Sequence, residues 1–444
     1  MTIALLYGMN TRTSGRRRTS VRTFARATAA TLALALTIDA ASASAGQRIV
    51  NGLETQAYPT TGALLHHGGG PITSANASAW CTGTLIGCHT FLTAAHCAGD
   101  LVANHYWVYL QHGGIYAVSS VTTNPAYDGS SGNDIAIITL ASDVVGIAPT
   151  PINTTHDLAA LGTGYAGIVA GFGQTSGSGN DYGIKRYGAV TTANCDTVAT
   201  GGEGNDRLVC WDFTNPLGPP ATDSNTCNGD SGGPLFINFG SGDEVVGATS
   251  AGISATCLPA DHSWDANVYF NAAFIQSQMA GDSTSSCGAV LPLTDPSATV
   301  LADSGTLSSA NIDDTYTVTV TGAPALARFT VNGKDNGSFH TAFYVKQGAG
   351  PASAASYDCK SDGGANYAGC EFANPVAGPW SVTVARFTGT GNYQMTTTLL
   401  EAAASECGNG VAEGAEACDG ADLGSCVAGP CNLDCTCPAP VCGN

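Results

Sequence analysis

Short apolar runs broken by turn residues make up most of this chain. Between residues 49 and 280, Gly, Thr, Ser and Val recur, and the apolar runs are separated by turn signals. Such spacing predicts an all-β fold, because each run suits one strand and each Gly- or Ser-rich gap suits a turn. Farther on, Thr315-Tyr-Thr-Val-Thr-Val-Thr321 alternates with period two. That places its apolar side chains on one face, as in a half-buried strand. Phe339–Lys346 and Trp380–Phe387 read in the same way, so a second β region over 298–401 follows the first. The residues between, 282–297, are rich in Ser, Thr, Pro and Gly and predict a linker.

The two ends follow other patterns. Ala27–Ile38 is apolar but too short to span a bilayer. Arg12, Arg16, Arg17, Arg18, Arg22 and Arg26 precede it, and Ala43-Ser44-Ala45 follows. A basic region, an apolar run and a small-residue cleavage site predict a secretory signal peptide over 1–45, with Met9 as an alternative start. Residues 407–444 hold seven cysteines and few large apolar side chains, so cross-links rather than a core are expected to hold them together.

Charge and cysteine count narrow the function class. After Arg48 the chain keeps 8 basic and 33 acidic residues, a net charge of −25. A surface of that sign repels phosphate backbones and disfavours nucleic acid as a partner. The 17 cysteines of an exported chain imply disulfides, and the odd number leaves one thiol over.

The candidate chemistry lies in three short stretches. Asn228-Gly-Asp-Ser-Gly-Gly-Pro234 surrounds Ser231 with glycines, which permit the tight turn that exposes a nucleophilic hydroxyl. Thr93-Ala-Ala-His96-Cys97 lies upstream, and Asn133-Asp134-Ile-Ala-Ile-Ile-Thr-Leu140 lies between them. The order His, Asp, Ser is one of the known triad orders. With Ile49-Val-Asn-Gly52, Cys81-Thr-Gly-Thr-Leu-Ile86, Val169-Ala-Gly-Phe-Gly173 and Gly247-Ala-Thr-Ser-Ala-Gly252, these stretches resemble the trypsin/chymotrypsin-like secreted serine proteases. The resemblance covers more than half of the chain. Phe172 and Ala251 stand where the family has Trp.

That resemblance implies two six-stranded β-barrels over 49–281, closed by a C-terminal helix at Val268–Met279. It implies a triad of Ser231, His96 and Asp134, and an oxyanion hole from the N–H groups of Gly229 and Ser231. Ser250 would hydrogen-bond Asp134. Gly46-Gln47-Arg48 would be a short propeptide, with cleavage after Arg48 freeing Ile49 to pair with Asp230. Disulfides Cys81–Cys97, Cys195–Cys210 and Cys227–Cys257 follow by position, and Cys88 and Cys287 are extra cysteines that would pair with each other. Asn225 at the pocket base, Gly252 at its entrance and Asn267 predict a preference for an uncharged or polar side chain. Asp223 and Asp265 stay open as sources of a pocket charge. No Asp or Glu lies between Leu101 and Tyr127, so no metal is expected at the family's calcium loop, and no cofactor is expected.

The second β region resembles the bacterial pre-peptidase C-terminal domain. The resemblance rests on Phe343-Tyr-Val-Lys346, Ser356-Tyr-Asp-Cys359, Cys370-Glu-Phe372 and Gly378-Pro-Trp-Ser-Val-Thr-Val384. It implies a small noncatalytic β-sandwich, with Cys359 and Cys370 paired. The tail resembles a Cys-rich repeat of exported bacterial proteins, with Cys442 opening a further unit. The implied function is an exported serine endopeptidase acting on protein or peptide. Its C-terminal modules would serve cell-surface or substrate binding, or act as spacers. An adhesin built on the same scaffold and an esterase are the competing readings.

Overall fold

The computed structural model describes residues 49–214, 218–284, 287–288, 290, 300–401, 431–432 and 436–437. The leader, Arg48, most of the linker, Cys442 and nearly all of the Cys-rich tail lie outside the described residues. No described helix is long and apolar enough to cross a membrane.

A two-residue strand, β1 (Leu53–Glu54), precedes the first barrel. That barrel comprises β2 (Thr61–His66), β3 (Ser78–Leu85), β4 (Thr90–Thr93), β5 (Tyr106–Leu110), β6 (Gly114–Thr123) and β7 (Ala136–Leu140). Its order is β2-β3-β4-β7-β6-β5, and it closes where β5 returns to β2, Ala63 opposite Tyr109. Leu64, Leu85, Phe91, Val108, Leu110 and Ile138 fill its interior.

A helical turn, α1 (Leu158–Leu161), leads to the second barrel. Its strands are β8 (Ala166–Gly171), β9 (Arg186–Ala193), β10 (Leu208–Phe213), β11 (Pro234–Asn238), β12 (Asp243–Gly252) and β13 (Asp261–Asn267). They run β9-β10-β13-β12-β11-β8, with β8 pairing back onto β9 to close the ring and β1 on the outer side of β9. Helix α2 (Val268–Gln278) follows, burying Val268, Asn271 and Ile275 on one face.

The third body is a sandwich of two four-stranded sheets. One sheet orders β14 (Val300–Leu307), β21 (Gly391–Leu400), β16 (Leu326–Gly333) and β19 (Tyr367–Ala373). The other orders β15 (Asp313–Val320), β20 (Gly378–Thr388), β17 (His340–Gln347) and β18 (Cys359–Ala365). Phe329, Phe343, Trp380, Val382, Tyr393 and Met395 pack between them. β15 shows the expected exposed–buried alternation, but β16 is buried at every position.

The second face of β16 is covered by the first two barrels. Arg328, Thr330 and Asn332 of β16, with Gln394 and Thr398 of β21, point there. Asn332 Nδ2 donates to Gly183 O (2.8 Å), and its Oδ1 accepts from Tyr109 Oη (3.2 Å) and Gln111 Nε2 (3.0 Å). Gln394 Oε1 accepts from Lys185 N–H at 2.9 Å and from Gln111 Nε2 at 3.0 Å. Arg328 Nη1 donates to Val145 O, and Thr330 Oγ1 to Gln111 O. Burying polar groups is tolerable only when they are hydrogen-bonded, and the side chains of Asn332, Gln394, Arg328 and Thr330 are. At Gly183, a Cβ would stand 2.3 Å from Gly333 O, so the two backbones approach too closely for any side chain.

Five disulfides bind the barrels and the sandwich, Cys81–Cys97, Cys88–Cys287, Cys195–Cys210, Cys227–Cys257 and Cys359–Cys370, and Cys431 and Cys437 of the tail are disulfide-bonded as well. These five pairings match those expected from the family resemblances.

Candidate active site

His96 sits on a 3₁₀ turn, Ala95–Ala98, just after β4. The Cys81–Cys97 disulfide ties that turn to β3. Asp134 follows another 3₁₀ turn, Ser131–Asn133, at the entrance to β7, and is 2% exposed. Its Oδ2 lies 2.6 Å from His96 Nδ1 and accepts from Ser250 Oγ at 2.8 Å, while its Oδ1 accepts from the His96 N–H at 2.9 Å. Three hydrogen bonds therefore orient one carboxylate and, through it, the imidazole.

Ser231 arrives from the other barrel, in the loop before β11. Gly232 has φ +76°, and a Cβ there would stand 2.1 Å from Thr93 Oγ1 and 2.5 Å from Ala94 N. Only glycine lets the serine loop lie this close to the His96 segment. Ser231 and His96 line the same cleft, and Gly229, at φ +89°, borders it beside Ser231.

One end of the cleft is a pocket of about 340 Å³, lined by Thr226, Gly252, Ser254, Cys257, Asp261 and Ser263 among others. Asn225, expected at the pocket base, does not line it: it is buried behind Asp261 and Ser263, and its polar atoms are occupied. Its Oδ1 accepts from Trp211 Nε1 (3.2 Å) and Ser263 Oγ (2.7 Å), and its Nδ2 donates to Asp261 Oδ2 (2.8 Å). Asp261 also lines the pocket, and its Oδ1 accepts from the N–H groups of Ser254 and His262 (each 2.8 Å). The pocket thus contains a carboxylate, at Asp261 rather than at the Asp223 or Asp265 left open by the sequence. Asp223 is engaged with Thr214 Oγ1 (2.8 Å), and Asp265 is fully buried opposite Thr249. Asn267 does not line the pocket. It caps α2, accepting from the N–H groups of Tyr269 and Phe270. The residue missed from the sequence is Asp261.

Ile49 and Asp230 are both in the interior, each 1% exposed. Ile49 packs with Val169, Val190 and Trp211. Val50 pairs with Asn225 through two backbone hydrogen bonds (2.9 and 3.0 Å), seating the start of the domain against the segment behind the pocket. The Asp230 carboxylate accepts from the N–H groups of Gly173 (2.8 Å) and Cys227 (2.9 Å). Burial nevertheless pushes it up to about 7.

Among the described residues, His66, Asp100 and His105 bring donor atoms within 4.8 Å of one another. Asp100 Oδ2 already hydrogen-bonds both rings, at 2.8 and 2.9 Å.

The chain matches the family model "Trypsin" over residues 49–273 and the model "Bacterial pre-peptidase C-terminal domain" over 313–386. It is 33% identical over 201 residues to the fibrinolytic enzyme, isozyme C, of Lumbricus rubellus, covering 40% of this chain and 80% of that protein. It is 32% identical over 241 residues to alkaline trypsin C of Manduca sexta, covering 50% and 88%. A trypsin of Saccharopolyspora erythraea is 29% identical over 183 residues, covering 39% and 75%.

Proposed function

The chain belongs to the trypsin family and is a serine endopeptidase; from that premise we propose an exported enzyme, opened by cleavage after Arg48, that works through Ser231, His96 and Asp134. The observation that carries this reading is the Asp134 carboxylate, held at once by the His96 ring, the His96 N–H and Ser250. A carboxylate on Nδ1 fixes the tautomer that leaves Nε2 free to accept a proton. Ser231 Oγ attacks the peptide carbonyl as His96 takes its proton. The N–H groups of Gly229 and Ser231 receive the developing oxyanion. His96 then returns the proton to the amine, which leaves. Water, deprotonated by His96, hydrolyses the acyl-enzyme and restores Ser231.

Cleavage after Arg48 frees an α-amine at Ile49. The desolvated Asp230 carboxylate is a partner for that cation, since a buried charge is stabilised only when paired. Export is supported by the signal-like leader and the five disulfides.

Asp261 supports a preference for Arg or Lys at the cleaved position. The same preference makes self-activation at Arg48 consistent with the pocket. The test is mass-spectrometric mapping of peptide-library cuts, with Ser231→Ala as control. Cuts after Arg and Lys that vanish with Ser231→Ala are expected. Asp261→Asn should lower kcat/KM on these substrates by roughly 100-fold, the scale of removing one partner of a desolvated charge pair. Cuts after uncharged residues that survive Asp261→Asn would overturn the pocket assignment.

A further inference from the structure

The cleft has a second half that the two barrels do not build alone. Across His96 and Ser231 from the Asp261 pocket lies a recess of about 550 Å³, bordered by Ala79, Trp80, Asn180, Tyr182, Asn336 and Gly337. Asn336 and Gly337 belong to the sandwich, in the turn between β16 and β17.

That turn is anchored on the protease. The Asp335 N–H donates to Tyr182 O at 2.8 Å. The Asp335 carboxylate accepts from the Ala79 N–H (2.6 Å) and Ser78 Oγ (3.1 Å), with Asn366 Nδ2 at 3.5 Å. Asp335 is 6% exposed, and these donors fix its carboxylate and the turn that follows it. Asn336 Oδ1 caps the turn, accepting from the N–H groups of Ser338 and Phe339. Behind it, the buried Asn332–Gln394 network holds the sheet on the barrels.

Trp80 supplies an aromatic surface to the same recess. Trp80 is 52% exposed, yet its Nε1 donates to Cys97 O at 3.1 Å and its ring lies 5.5 Å from His66. A held, half-exposed aromatic beside amide groups suits an apolar side chain with a peptide backbone attached.

We propose that the sandwich turn Asp335–Gly337, together with Trp80 and Tyr182, forms a binding subsite for substrate residues on the leaving-group side of the scissile bond, selective for bulky uncharged side chains. The inference rests on the endopeptidase reading: with the acyl side in the Asp261 pocket, the amine side leaves across Ser231 into this recess. The sandwich thereby becomes part of the substrate cleft.

The test uses the full chain and two substrate sets with a common acyl side. One is internally quenched peptides varied in the first two residues after the bond. The other is an ester with no peptide leaving group, which reports active sites alone. Wild type is expected to favour aromatic and aliphatic residues over Asp and Glu by at least tenfold in kcat/KM. Trp80→Ala should reduce that preference fivefold or more, measured relative to the ester on the same preparation. Gly337 has φ +71° with open space around a Cβ, and Asp tolerates that conformation. Gly337→Asp should therefore shift the profile at least fivefold towards Lys and Arg. A flat wild-type profile, or variants that change ester and peptide cleavage in parallel, would overturn the subsite. A wild type that cleaves neither set would overturn the endopeptidase reading, and this one with it.

Discussion

Asp230 illustrates what burial does to a single residue. Its carboxyl is pushed up to about 7 because two backbone N–H groups do not replace the lost water. In the uncleaved chain the folded state therefore holds this proton more tightly than the unfolded state. Its stabilising effect is complete below about pH 4 and is lost as pH rises through about 7. Asp265, also raised by burial, adds a slope of the same sign. Urea midpoints of uncleaved protein should fall between pH 4 and 7, and Asp230→Asn should remove part of that fall. An unchanged slope in the variant would contradict the assignment. The candidate triad was proposed residue by residue, because a nucleophile needs glycines around it and a histidine and aspartate in a known order. Asp261 was not. Which of Asp261 and Asp265 faces the pocket depends on the pairing of β13 with β12, and that register shifts between Thr249 and Ala251. Asp265 lies farther along the same strand, against Gly247.

Among the elements, β16 and β21 depart most from a sequence reading. Arg328, Thr330, Asn332 and Gln394 occupy the polar positions of alternating strands, which period-two reasoning assigns to water. They are buried against another body and satisfied by it. Gln394→Leu should strand the Lys185 N–H and weaken the Gln111 and Asn332 amides. A loss of about 1–3 kcal/mol is expected for a buried group left unpaired, read as a lowered urea midpoint at constant m. His112 lies in the same interface, against Thr398 and the Gln56 carbonyl. Burial, and the nearby charges of Lys185 and Arg328, bring it down to about 3, whereas the Gln56 contact opposes them. It stays neutral in the fold, so its contribution is complete above about pH 6.5 and is lost as pH falls towards 3. Compared with His112→Asn, the parent should lose more stability between pH 7 and 4. Equal losses would sever the link to this interface.

For the whole molecule, the barrels and the sandwich form one compact unit. A tethered accessory module would unfold by itself. Here the buried Asn332–Gln394 network couples the two bodies, so calorimetry of the full chain should show one transition from fold to coil. Two separated transitions would show that the interface is weak. Ending the chain after residue 297 should expose Gln111, His112 and Gly183, lower the midpoint, and speed proteolysis near Lys185.

The sequence by itself determined the family, the two barrels, the sandwich, the five disulfide pairs and the candidate triad. Strand period, turn glycines and motifs in which a few adjacent residues must act together are local patterns; the barrels and the disulfide pairs came with the family resemblance that those motifs carry. Only the tertiary structure decided that Asp261 enters the pocket, that Asn267 caps a helix, and that the sandwich borders the cleft. Strand register and the packing of one body on another arise between segments far apart in the chain. A polar residue looks the same in sequence whether it faces water or a matched partner.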